Sequence, residues 1–148
     1  MVAVLALIGL CADLTAFSSK VIITAEDPIN PTDPFSTRFK VVNLGNFAVR
    51  NVKIDTQFDA TFGNNTFTNV KSRASQDVIP ILRPGQSMGE WTRIVFEAQP
   101  RGDDVVDLTI SIEFNPSFAW WKQRFQQRFT TLRNPSGQFR WIEQPLKQ

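Results

Sequence analysis

The chain has 148 residues, 42% of them hydrophobic, with 13 Phe, 4 Trp, 9 Pro and a formal charge of +2. That length fits one domain with ample apolar material for one core. With no His, no Tyr and a single Cys, the composition excludes Ser-His-Asp and Cys-His catalysis, His metal ligation, intrachain disulfides and Cys-rich zinc sites.

Residues 1–12 read Met-Val-Ala-Val-Leu-Ala-Leu-Ile-Gly-Leu-Cys-Ala and carry no charge; Asp13 interrupts the run and residues 14–17 resume it. The pattern predicts an apolar helix over residues 1–17, with Val4, Leu5, Leu7, Ile8 and Leu10 as its anchor. A full span needs about 20 apolar residues, and a secretory signal begins with a basic region that is missing here. Three readings stay open: the outer end of a membrane helix whose earlier part lies outside this chain, a signal peptide or signal anchor, or a helix docked on a partner. Cys11 invites lipid acylation, but that signal wants a small residue before the cysteine and Leu10 is large. A buried apolar cysteine is the plainer interpretation.

Beyond residue 17 no helical period is evident. Residues 20–24 alternate as a short strand with Val21 and Ile23 on one face. Residues 27–34 hold Pro28, Pro31 and Pro34, which bar a helix and a central strand and predict a rigid connector. Residues 35–43 alternate with Phe35, Thr37, Phe39 and Val41 inward and Arg38 and Lys40 outward. Asn43-Leu44-Gly45-Asn46 supplies a turn. The clearest signal follows at residues 48–62, where Val52, Ile54, Thr56, Phe58, Ala60 and Phe62 alternate with Lys53, Asp55, Gln57, Asp59 and Thr61. A period of two places these sets on opposite faces of one strand, one buried and one wet, as in an antiparallel sheet.

Residues 66–71 and 77–82 predict two weak strands, and Arg83-Pro84-Gly85-Gln86 carries a type II turn signature. Residues 87–96 form the next strand. Residues 105–114 alternate cleanly, with Val106, Leu108, Ile110, Ile112 and Phe114 against Asp107, Thr109, Ser111 and Glu113. Residues 124–133, the turn Asn134-Pro135-Ser136-Gly137 and residues 139–143 predict a terminal hairpin. The result is all-β: an antiparallel β-sandwich of seven to eight strands over residues 18–148, with a core including Phe39, Val41, Val52, Ile54, Phe58, Leu108, Ile110 and Ile112.

Two short motifs carry a resemblance. Phe39–Gly45 reads Phe-x-Val-x-Asn-x-Gly, and Leu82–Ser87 reads Leu-x-Pro-Gly-Gln-Ser. Together with the strand order they resemble the immunoglobulin-like modules of bacterial envelope proteins. Residues 27–35 (Asp-Pro-Ile-Asn-Pro-Thr-Asp-Pro-Phe) and the run to Phe39 look like small bacterial proteins in which one membrane helix precedes such a module. The resemblance covers roughly residues 5–145 and rests on turns. It implies an immunoglobulin-like sandwich tethered to a membrane and is nearly silent on activity. The paired Cys and the Trp of antibody-type domains are missing.

The foremost candidate site is the cluster Phe118, Trp120, Trp121 and Lys122, followed by Arg124 and Arg128. Aromatic rings beside cations suit a bilayer interface or a protein contact. A loop that folds back and caps the core explains the rings equally. Residues 118–148 as a whole hold Lys122, Arg124, Arg128, Arg133, Arg140 and Lys147 against Glu143 alone. Such a run is a solvated sheet face or a patch for phosphate or lipid. Single-stranded nucleic acid is not expected: alternation separates Phe125 and Phe129 from Arg124 and Arg128, so rings and charges cannot act together. Asp103, Asp104 and Asp107 could offer oxygens to calcium but match no EF-hand spacing, and Asn64-Asn65-Thr66 matches a glycosylation sequon. No cofactor, metal or small-molecule substrate is indicated. The expectation is a non-catalytic, membrane-tethered accessory or scaffolding subunit docked on a membrane protein complex or the bilayer, with the periplasmic or extracellular side favoured. The alternative is an extracytoplasmic module binding carbohydrate or peptide.

Overall fold

The computed structural model describes residues 19–62, 64–72, 78–91 and 104–146. The helix expected over residues 1–17, with its anchor residues and Cys11, lies outside them, as do Asp103 and Lys147. The described chain is all-β, with two antiparallel sheets whose inner faces share one hydrophobic core. The smaller sheet has the order β1-β2-β6, formed by β1 (Val21–Ala25), β2 (Arg38–Asn43) and β6 (Ser87–Trp91). The larger runs β4-β3-β7-β8-β9, formed by β3 (Val49–Phe62), β4 (Asn65–Ser72), β7 (Val105–Pro116), β8 (Gln123–Arg133) and β9 (Phe139–Gln144), with β5 (Ile79–Leu82) also paired to β3. The described strands number nine rather than seven or eight, because both marginal segments pair with β3: β4 opposite residues 56–62 and β5 opposite residues 49–52.

The period of two does what it predicts. Phe39, Val41, Val52, Ile54, Phe58, Leu108, Ile110 and Ile112 are all buried. At the start of β3 the alternation breaks for a physical reason. Asn51 has φ 52°, a left-handed conformation that Asn tolerates, and the β3–β7 register shifts between Arg50 and Lys53. The bulge lets Val49 and Val52, three residues apart, both turn inward.

The proline-rich connector is tied down at both ends. Asp33 caps a 3-10 turn at Pro34–Ser36 by accepting from the Phe35 N–H at 2.9 Å. That cap delays the second strand, expected from Phe35, until Arg38; Phe35 packs against the core from the turn. Across the sandwich, the Phe139 N–H donates to the Pro31 carbonyl at 2.7 Å and the Trp141 indole N–H to the Pro34 carbonyl at 2.8 Å. Phe39 sits between the sheets, with ring centroids 5.0 Å from Phe129 and 5.6 Å from Trp141.

The two quoted motifs interlock around one side chain. Asn43 is fully buried. Its Nδ2 donates to the Phe47 carbonyl at 2.8 Å and the Leu82 carbonyl at 2.9 Å, and its Oδ1 accepts from the Gly45 N–H at 3.0 Å. Its backbone pairs with the other turn: Asn43 N–H to Gln86 carbonyl at 3.1 Å, Gly85 N–H to Asn43 carbonyl at 2.8 Å. Gly85, with φ 73°, occupies the position where a type II turn requires a positive φ.

Candidate functional site

Connectivity brings four segments to one end of the sandwich. The chain enters β1 there, and the β2–β3, β5–β6 and β7–β8 turns all lie there. Hydrogen bonds sew them together: Leu44 N–H to Lys20 carbonyl at 2.7 Å, Gly85 N–H to Asn43 carbonyl at 2.8 Å, and Ser117 N–H to Ala48 carbonyl at 2.9 Å. The Ser19 hydroxyl donates to the Gln123 side-chain carbonyl at 2.5 Å.

The predicted aromatic cluster sits on this end. Trp120 is 90% exposed, Trp121 47% and Phe118 40%. The indoles of Trp120 and Trp121 meet edge to face, with centroids 6.1 Å apart. Phe118 leans edge-on against half-buried Phe47 at 5.1 Å, and Leu44, on the same β2–β3 connection as Phe47, is 49% exposed. Of the three rings, Phe118 therefore makes a partial cap, whereas Trp120 stands in solvent. From sequence, Leu44 is only part of the Asn43–Asn46 turn, and Phe47 belongs to no predicted element. The available signal was two apolar side chains in a segment that the Asn and Gly residues had already marked as surface.

The cations divide into two groups. Lys122 is at the aromatic end, where its ammonium bonds Glu113 at 2.7 Å. That hydrogen bond, then the Lys122 charge, holds the Glu113 carboxyl below its ordinary range, with Lys53 and Arg124 contributing and desolvation opposing. Arg124 and Arg128 lie along the outer face of the large sheet. Arg124 reaches the Ser111 hydroxyl at 3.3 Å. Arg128 pairs with Asp107 at 2.6 Å, their side chains 17% and 20% exposed, and Thr130 also donates to Asp107. Arg128 is thus committed to a largely buried pair on the sheet, separate from the rings. Arg133 serves the far hairpin, donating to the Gly137 carbonyl at 3.3 Å and lying over the Phe139 ring. Phe129 is buried and Phe125 packs against the same core, on the face opposite the arginines.

Of the three acidic candidates, Asp104 and Asp107 are among the described residues. Asp107 is engaged by Arg128 and Thr130, and among the described residues no group of three His, Cys, Asp or Glu could hold a metal. Among these residues, too, no helix is long and apolar enough to cross a membrane. A shallow depression of about 300 Å³ lies on the outer face between Lys53, Asp55, Gln57, Lys71, Ser111 and Arg124.

The described entry and turns at the aromatic end (residues 19–20, 43–48, 83–86 and 117–122) hold Lys20, Arg83 and Lys122 and no carboxylate. At the opposite end, the connector and the approach to β7 hold Glu26, Asp27, Asp33 and Asp104, and the start of β2 and the terminal hairpin hold Arg38, Arg133 and Arg140. No protein-family model matches the chain, and no curated protein is significantly similar to it.

Proposed function

We propose that the chain is a non-catalytic, membrane-tethered immunoglobulin-like module that acts as an accessory or scaffolding subunit of a membrane protein complex. The observation that carries this reading is the contact between Ser19 and Gln123. Ser19 follows the apolar residues 1–17 closely in sequence, and Gln123 follows the exposed Trp120 and Trp121. A tether and an exposed aromatic surface at the same end give the domain one side turned toward the membrane. Strand order supports the immunoglobulin-like assignment: β1-β2-β6 corresponds to strands A-B-E of that fold and β4-β3-β7-β8 to C′-C-F-G, with β9 added beyond G. The resemblance noted in the turns favours the periplasmic or extracellular side.

Extraction of membranes in mild detergent followed by native pull-down tests the reading. A membrane protein recovered in fixed stoichiometry supports it. Recovery of the full chain from the soluble fraction, alone, overturns it. A second reading, an extracytoplasmic binding module, draws on the polar depression between Lys53, Lys71 and Arg124. It predicts instead a soluble carbohydrate or peptide in the pull-down.

A further inference from the structure

We infer that the aromatic end of the sandwich seats in the headgroup region of an anionic bilayer, so that the domain stands on the membrane through its β7–β8 and β2–β3 turns. The inference rests on the tether proposed above and goes beyond it, since a tether alone leaves the domain free to point anywhere.

Three independent features of the surface lead there. The first is its chemistry. Large apolar side chains exposed together are costly in water, and indoles are enriched where an apolar ring can sit beneath a wet edge. Trp120 is 90% exposed and meets Trp121 edge to face, and Phe118 and Leu44 are exposed on turns at the same end of the sandwich. The second is charge. Lys20 and Arg83 are exposed among these turns with no carboxylate in the same segments, while Lys122 is paired with Glu113 of β7. Lysine and arginine at such a rim are drawn to anionic headgroups near the surface. At the opposite end the described Glu26, Asp27, Asp33 and Asp104 stand among Arg38, Arg133 and Arg140, and Glu26 pairs with Lys40, so the charge there is mixed. The third is connectivity. Residues 1–12 carry no charge, and Ser19, seven residues after them in sequence, is bonded to Gln123 in the same loop cluster. A protein partner for this end would need an acidic surface at the level of the headgroups, which anionic lipid already supplies.

The full chain reconstituted into vesicles of phosphatidylcholine and phosphatidylglycerol with brominated acyl chains tests the seating. Bromine quenches indole fluorescence only at short range. The expected result is quenching that falls by more than half in Trp120→Phe/Trp121→Phe and weakens when phosphatidylglycerol is omitted or salt is raised. The double substitution keeps two apolar rings and should leave the melting temperature unchanged, which controls for folding. If the chain sediments with vesicles while Trp120 and Trp121 stay unquenched and open to acrylamide, the tether stands and the seating is overturned. If they are shielded from acrylamide in native membranes yet unquenched by bromolipid, a protein covers this end and the seating is again overturned. Failure to sediment with vesicles at all overturns both the seating and the tether.

Discussion

The hydroxyl of Ser19 bonds the side-chain carbonyl of Gln123 at 2.5 Å, joining the start of the sandwich to the foot of β8. That contact holds Ser19 at the end of the sandwich that carries the β7–β8 turn. Everything proposed for this chain depends on which side chains are found there: Trp120, Trp121, Phe118 and Leu44, with Lys20, Arg83 and Lys122 around them.

Asn43 is the polar keystone of that end, and its removal should be felt across both turns. Asn43→Ala deletes two donated bonds, to Phe47 and Leu82, and one accepted from Gly45, and strands those backbone groups. Buried groups left unpaired are costly, so a loss of about 2–4 kcal/mol is expected in urea melts. A loss below about 0.5 kcal/mol would show that water replaces the side chain and that the turns do not depend on it.

Thr56 makes the opposite case. Its hydroxyl is buried beneath the large sheet and meets no hydrogen-bond partner among the described residues. Valine has the same branched shape, so Thr56→Val replaces an unsatisfied polar atom with a methyl group at little steric cost. The expected outcome is a gain of about 1 kcal/mol in the same assay. A destabilised variant would mean the hydroxyl is satisfied in solution.

Much of the core was legible because β3 and β7 keep a strict period of two beyond Val52 and Val106, and a one-residue slip would expose every apolar side chain. The stretch before Val52 was not legible, since the bulge at Asn51 breaks the period without any glycine to mark it. Asn43 read as a turn residue; its burial depends on Leu82, 39 positions away. At the candidate site, the sequence showed the rings of residues 118–121 but not what lay beside them. Arg128 follows them closely in the chain, yet strand direction carries it up the sheet to Asp107. Leu44 and Phe47, distant in sequence, complete the surface.

Lys122 offers a spectroscopic handle on the same loop. Its hydrogen bond and charge lower the Glu113 pKa. Lys122→Met should therefore move the Glu113 titration, followed by NMR, upward toward the ordinary carboxylate range. A lowered folded-state pKa contributes stability that is present above the unfolded value and lost as pH falls through the folded one. Because the pair is exposed, with side chains 67% and 41% accessible, that contribution is small and the variant should melt close to the parent. An unmoved Glu113 titration would show that the Lys122–Glu113 bond does not persist in solution.

The most direct test of the tethered, membrane-seated domain is the depth of two nitroxide labels on the full chain in anionic vesicles, read by electron paramagnetic resonance power saturation. One label replaces Trp120 (Trp120→Cys) and the other Ser136 (Ser136→Cys), each in a Cys11→Ser background. The labels bracket β8, whose 11 residues at about 3.3 Å each span roughly 35 Å. The predicted result is a label at position 120 at headgroup depth and a label at position 136 fully in water. Equal aqueous exposure of both labels, or a deeper label at position 136, would contradict it.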